Sequence, residues 1–138
     1  EPLDAERMHR AAQALVGEHD FSSYRAAGCQ SKVPIRHLHF IDIRRFGPIV
    51  MLDVQANAFL HHMIRNIAGV LMAVGRGNED EAYPARLLLL RDRKSGNVTA
   101  PACGLHFVDV RFDERFADGQ TDARRLARRQ RLFVHAIV

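Results

Sequence analysis

Long apolar runs are missing from this chain of 138 residues. Apolar stretches are short, as at residues 87–90, whereas a helix needs about 20 predominantly apolar residues to cross a bilayer. No membrane association is expected. No charged, then apolar, then small-residue opening resembles a secretory signal. A chain that opens on Glu1 rather than methionine is expected to be a processed product or a cloned piece. Cysteine is scarce. Cys29 and Cys103 lie far apart with no C-x-x-C, which points to a reduced, cytoplasmic setting and leaves a single disulfide open. No glycine-rich loop precedes a helix, so no nucleotide cofactor is expected.

Metal-ligand spacing is missing too. There are eight histidines, but His37 and His39 sit at strand spacing and His61 and His62 are adjacent. Zinc sites draw on Cys-x₂₋₄-Cys or His-x₃₋₅-His pairs that converge. Scattered surface histidines account for the pattern, and no metal is expected. Cys103 beside Gly104 carries no nucleophile signature and reads as a small buried thiol.

What is present suits one domain with a genuine core: apolar residues make up 47%, ordinary for a globular protein. The net charge of +4 is uneven. From Asp118 onward five arginines stand against two aspartates, and the remaining body is nearly neutral. Basic charge points only weakly to nucleic acid, and here it rests on the tail. The expected organisation is a domain over 1–117 and a basic tail over 118–138, the tail either a short helix at 122–131 or disordered.

Patterning predicts the elements. Asp4 can cap a helix with an apolar stripe through Leu3, Met8, Ala11, Ala12, Leu15 and Val16, ended by Gly17. Residues 19–34 read as a long loop. Ile41 and Ile43 alternate with Asp42 and Arg44, Gly47-Pro48 marks a turn, and Val50, Leu52, Val54 and Ala56 alternate with polar neighbours. That is a hairpin. A helix with Pro84 in its first turn lies within 79–91. Residues 105–112 form a strand. Helices mixed with antiparallel strands give an α+β class, an antiparallel sheet packed with helices.

The clearest helix is predicted at 59–75, with Phe59, Leu60, Met63, Ile64, Ile67, Ala68, Val70, Leu71 and Val74 on one half of its wheel. The other half carries His61, His62, Arg65, Asn66, Gly69, Met72 and Ala73. His61, Arg65, Gly69 and Met72 follow helical spacings and form a row. A glycine inside a helix costs about 1 kcal/mol relative to alanine, so it suits a place where a backbone or ligand comes close. Such a row could face a cleft that admits an anion or a base. From the pattern alone, a solvated face with Arg65 in an ordinary surface pair is the commoner outcome.

The residues Asn57-Ala58-Phe59-Leu60-His61-His62-Met63-Ile64-Arg65-Asn66-Ile67-Ala68-Gly69 resemble the F-x-H-H-M-x-R-N-I-x-G motif of the TruA-type tRNA pseudouridine synthases. Three further matches flank it in order. His19-Asp20-Phe21-Ser22-Ser23-Tyr24-Arg25 resembles the family's D-F-[ST]-[SA]-[FY] segment. The Gly47-Pro48 hairpin resembles its strands, and Ala100-Pro101-Ala102-Cys103-Gly104-Leu105 resembles its A-P-x-x-G-L segment. The resemblance covers about residues 3 to 113.

The resemblance implies the C-terminal half of a two-domain, homodimeric enzyme that isomerises uridine in the anticodon arm of tRNA without a cofactor. The family's catalytic aspartate and base-stacking tyrosine belong to its N-terminal half, which this chain does not include. Arg65 matches the motif arginine that pairs with that aspartate. Gly104 and Leu105 match the family's pocket-lining pair, and His61, His62, Asn66 and Arg25 are candidate RNA-facing groups. His106 replaces an aromatic residue common at its position. Gln120-Thr121-Asp122-Ala123 superficially resembles the aspartate segment R-T-D-A-G. It follows the last predicted strand and lacks the arginine and the glycine, so Thr121 or Asp122 reads as a helix cap. Two other readings stay open: a non-catalytic RNA-binding or dimerisation module, and an unrelated small α+β interaction domain.

Overall fold

The computed structural model describes residues 2–25, 34–59, 62–91, 106–112 and 132–137, the last two segments as backbone. Helix α1 (Ala5–Ala12) begins where expected: the Asp4 carboxylate accepts the Arg7 amide at 3.1 Å and satisfies a donor the helix leaves open. It stops earlier than expected. Residues Gln13–Leu15 tighten into a 3₁₀ turn, and Gly17, at φ +108°, opens a strand instead of closing a helix.

That strand, β1 (Gly17–Asp20), and the 3₁₀ turn Ser22–Tyr24 occupy part of the segment expected to be a loop. The four residues Gly-Glu-His-Asp have little intrinsic strand preference. Pairing with β2 (Ile35–Phe46) supplies their order, Gly17 opposite Leu38 through Asp20 opposite Ile35.

The hairpin of β2 and β3 (Ile49–Ala56) forms as the alternation predicts. Its register steps between Leu38, opposite Ala56, and Phe40, opposite Gln55. His39 is the extra residue of a bulge. The bulge explains why Leu38, an even position, shares the buried face with Ile41 and Ile43. Asp42 lies directly opposite Asp53, an unfavourable like-charge pair. The Arg44 guanidinium lies 3.9 Å from Asp42 and 3.4 Å from Asp53, which offsets the repulsion.

Helices α2 (Met63–Gly75) and α3 (Tyr83–Leu90, with Pro84 in its first turn) complete the helical layer. One continuous core joins Met8, Ala12 and Leu15 to Leu38, Ile41, Leu52, Val54, Ile67, Leu71 and Leu87. Helices α1 and α2 meet closely: the Asp4 amide donates to the Gly75 carbonyl at 3.0 Å, and a Cβ at Gly75 would lie 2.7 Å from Met8 Sδ.

Strand β4 (His106–Phe112) matches the sequence expectation. Strand β5 (Leu132–Ile137) corrects it. The order is β1-β2-β3-β5-β4, antiparallel throughout, so β5 lies between β3 and β4. Residues 118–138 are therefore not merely an appended tail, because their end is an interior strand of the sheet. A short apolar run of this kind suits a strand paired on both sides. The region 122–131, Cys29 and Cys103 lie outside the described residues. No described helix is long and apolar enough to cross a membrane.

Candidate functional site

Helix α2 is buried almost all round. Ten of its 13 residues are buried, as expected of a helix apolar on most sides. Only Arg65, Gly69 and Met72 retain partial exposure. They are spaced i, i+4 and i+7, which makes one narrow stripe along the helix. Three of the four residues that the sequence aligns in a row thus share a single opening in an otherwise enclosed helix. The fourth, His61, lies outside the described residues, as do Gly104 and Leu105.

The helix begins at Met63, four residues later than the periodicity suggests. His62 stands before it in the left-handed conformation, at φ 59° and ψ 11°. A residue other than glycine pays about 1–2 kcal/mol there, and such strain persists only where the surroundings impose it. The exposed His62 ring places Nε2 at 3.4 Å from Arg65 Nη1, and the His62 carbonyl accepts the Asn66 amide at 2.9 Å. The strained turn thus sets a histidine beside the guanidinium at the head of the stripe.

Asn66 corrects an expectation. By the family resemblance it is a candidate RNA-facing group. In the fold it is 3% exposed, and its Nδ2 donates to the Tyr24 carbonyl at 2.7 Å. The 3₁₀ turn covers this side of α2, so a polar residue on the outer half of the wheel becomes an interior contact. Ala73, placed on the same half, is also buried.

The turn is itself fastened by buried polar bonds. Tyr24 Oη donates to the Pro84 carbonyl at 2.9 Å, and Ser23 Oγ donates to the Leu87 carbonyl. Burial pushes the Tyr24 phenol far above its ordinary range, so it stays a neutral donor. At the start of the turn, Asp20 accepts from the Ser22 amide at 2.9 Å and from Ser22 Oγ at 2.5 Å. Burial pushes the Asp20 carboxyl up. The Ser22 bonds and the charges of Arg91 and Arg25 outweigh it and leave the carboxyl below its ordinary value. This gives a structural reason for the Asp-Phe-Ser-Ser-Tyr pattern: Phe21 and Tyr24 fill the core, while the two serines and the aspartate hold the turn. Ser23 and Tyr24 are not legible in the sequence as individual groups, because a serine-rich pentapeptide reads as a loop until its bonding partners are in place.

Half-buried Arg25 leaves this turn directly after the carbonyl that Asn66 holds. Arg25, Asn66, Arg65 and His62 are therefore brought into one region where the 3₁₀ turn meets the start of α2. The Arg65 guanidinium with the His62 imidazole beside it suits an anion, either a carboxylate or a phosphate, while the Arg25 charge acts on the Asp20 carboxyl at the start of the turn. Among the described residues no three His, Cys, Asp or Glu side chains converge to hold a metal ion.

Residues 11–113 match the family model described as tRNA pseudouridine synthase. Relatives of the chain bear the name tRNA pseudouridine synthase A. One from Methylococcus capsulatus is 56% identical over 115 residues, which is 83% of this chain and 42% of that protein. One from Escherichia fergusonii is 54% identical over 116 residues, 84% of this chain and 43% of that protein. One from Cronobacter sakazakii is 53% identical over 115 residues, 83% of this chain and 43% of that protein. The chain spans less than half the length of these relatives.

Proposed function

Because the chain belongs to the tRNA pseudouridine synthase family, we propose that it is the C-terminal half of an enzyme that isomerises uridine to pseudouridine in the anticodon stem-loop of tRNA. One observation carries the reading: Arg65 occupies the single exposed stripe of a helix that is otherwise buried. A merely solvated arginine needs no such enclosure.

The target base lies inside folded RNA and has to be flipped into a pocket. An aspartate from the other half of the enzyme acts on the flipped nucleotide, as nucleophile or as charge stabiliser, while the N-glycosidic bond breaks. The uracil then turns and rejoins the ribose through C5, which gives up its proton while N1 takes one up. Arg65 supplies the fixed positive charge that keeps the aspartate ionised and aimed across the cleft. His62 stands against Arg65 and restricts where the guanidinium points. By resemblance, Gly104 lets the backbone approach the nucleotide and Leu105 forms an apolar wall, while His61, His62 and Arg25 face the RNA. The reading includes a cytoplasmic homodimer that needs no metal or redox cofactor, and it rests there on the family resemblance and on the scarcity of cysteine.

The whole protein should form pseudouridine on unmodified tRNA, and this chain alone should form none. Mass spectrometry of the product RNA tests both. Turnover by the isolated chain would bring Asp122 back as a nucleophile. An inactive whole protein that still binds tRNA would favour the non-catalytic RNA-binding module.

RNA binding by the isolated chain should be weak and steeply salt-dependent, because its excess charge is concentrated in the arginines between Asp118 and β5. Replacing Arg124, Arg125, Arg128 and Arg129 with glutamine should flatten the salt dependence while leaving β5 in the sheet. An unchanged salt slope would place the phosphate contacts elsewhere.

A further inference from the structure

We infer that His62 is a positioning residue: its neutral imidazole accepts from Arg65 and turns the guanidinium so that its Nε–Nη2 edge meets a carboxylate, and the left-handed turn at His62 is kept to bring the ring there. The inference deepens the proposed function and rests on Arg65 acting upon an aspartate of the other half of the enzyme.

Three observations carry it. The His62 backbone is left-handed, at φ 59° and ψ 11°, a conformation that glycine adopts freely and other residues adopt under strain. The His62 carbonyl accepts the Asn66 amide at 2.9 Å and so begins the bonding of α2. The ring Nε2 lies 3.4 Å from Arg65 Nη1. Glycine at this position would supply the same carbonyl without the strain. What glycine lacks is the ring. The ring is exposed and its contact with Arg65 is long, so the contact adds little to stability. The strain is therefore kept for the position of a charged group rather than for the fold.

The chemistry of the contact sets its direction. A guanidinium carries donors only, so the ring accepts at Nε2 and its own proton lies on Nδ1. The buried helix fixes where the Arg65 side chain starts. A helix by itself does not orient the head of a side chain with several rotatable bonds. Engaging Nη1 narrows the range of the guanidinium. It also leaves to a carboxylate the hydrogens of Nε and Nη2, which point the same way and form a bidentate fork. An imidazolium would have no acceptor and would repel the guanidinium instead.

Variants of His62 in the full-length protein separate position from fold. His62→Gly should melt at a higher temperature than wild type, because the strain relieved exceeds the freedom that glycine adds to the unfolded chain. It should nevertheless form pseudouridine about tenfold more slowly, the effect of a misaimed group. The slow rate should persist in single turnovers at saturating RNA, where a lost RNA contact no longer matters. His62→Gln places an acceptor where Nε2 stood. It should recover most of the rate and melt no higher than wild type, so that rate follows the acceptor while stability follows the backbone. In an Arg65→Ala background His62→Gly should slow the reaction no further, because His62 acts through Arg65. Guanidinium resonances of Arg65 should show slowed rotation about Cζ–Nη1 in the wild type and lose it in His62→Gly.

A wild-type rate in His62→Gly, or a loss cured at saturating RNA, would overturn the inference. So would a lower melting temperature in His62→Gly, which would make His62 a support of the fold. Losses that add to that of Arg65→Ala would overturn it as well, and failure of His62→Gln to recover the rate would remove the acceptor role. A wild-type protein that forms no pseudouridine would sink the proposed isomerisation. The melting comparison and the Arg65 resonances would still decide whether the ring positions the guanidinium.

Discussion

Arg65→Ala in the full-length protein is expected to slow pseudouridine formation by roughly ten- to hundredfold while leaving the fold intact. The lost interaction is a charge-assisted pair with a carboxylate across the cleft, worth about 1.5–3 kcal/mol. At about 1.4 kcal/mol per tenfold, that is one to two decades in rate. The loss grows if the aspartate also takes up a proton once its neighbouring charge is gone. Little stability is at stake. Arg65 belongs to the exposed stripe of α2, so truncation leaves no hole among Ile64, Ile67, Ala68 and Leu71. Its contact with His62 is long and on the exposed side. Arg65→Lys should recover only part of the rate, since an ammonium restores charge but not the planar fork. Single-turnover rates on an anticodon-arm substrate, with thermal melts alongside, decide the matter. Rates near wild type in Arg65→Ala would return Arg65 to the status of an ordinary surface arginine.

Removing β5 is expected to destroy the cooperative fold of this domain. The strand pairs with β3 from Met51–Ile137 to Ala56–Leu132, and with β4 from His106–Ile137 to Phe112–Leu132. Among the described residues, β5 is the strand that joins β4 to the rest of the sheet. Deleting residues 132–138 therefore costs two hydrogen-bonded ladders and leaves β3 with an open edge. The expected loss exceeds about 4 kcal/mol, the range of the most disruptive changes, against a typical whole stability of about 5–15 kcal/mol. A milder variant tests the same point. Val134→Pro removes a backbone donor from a position paired with both Val54 and Val110, and proline is excluded from central strands for that reason. Both variants should lose the sharp thermal transition seen by circular dichroism. A truncated chain that melts like the intact one would remove β5 from the sheet and restore the appended-tail reading.

Much of this was legible from local pattern. The Asp4 cap, the β2–β3 hairpin around Gly47-Pro48 and the apolar face of α2 follow from residue preferences and from apolar periods of two and 3.6 residues. So does the exposure of Arg65, Gly69 and Met72, because helical spacing alone places them in line. The order of the four motifs was equally readable, and with it the family, since motif order is a property of the chain and needs no folding.

Adjacent residues show where that stops. Arg65 and Asn66 both fall on the outer half of the α2 wheel, yet one is partly exposed and the other is 3% exposed. A wheel records the direction of a side chain from its own axis. It does not record what stands there. The Ser22–Tyr24 turn stands beside Asn66, brought there by bonds from Ser23 and Tyr24 to carbonyls 64 and 60 positions further along the chain. β1 is the same kind of case: Gly-Glu-His-Asp becomes a strand because β2 offers it an edge. The bulge at His39, which turns Leu38 to the same side as Ile41, is settled by register against β3. β5 lay within what the sequence presents as a basic tail, and its place between β3 and β4 is settled by pairing on both sides. Sequence spacing thus determined which faces are apolar and which residues can bear charge in the site. Long-range pairing decided which of those polar residues face solvent and which hold the fold, because a buried donor or acceptor is tolerated only where a partner from elsewhere in the chain meets it.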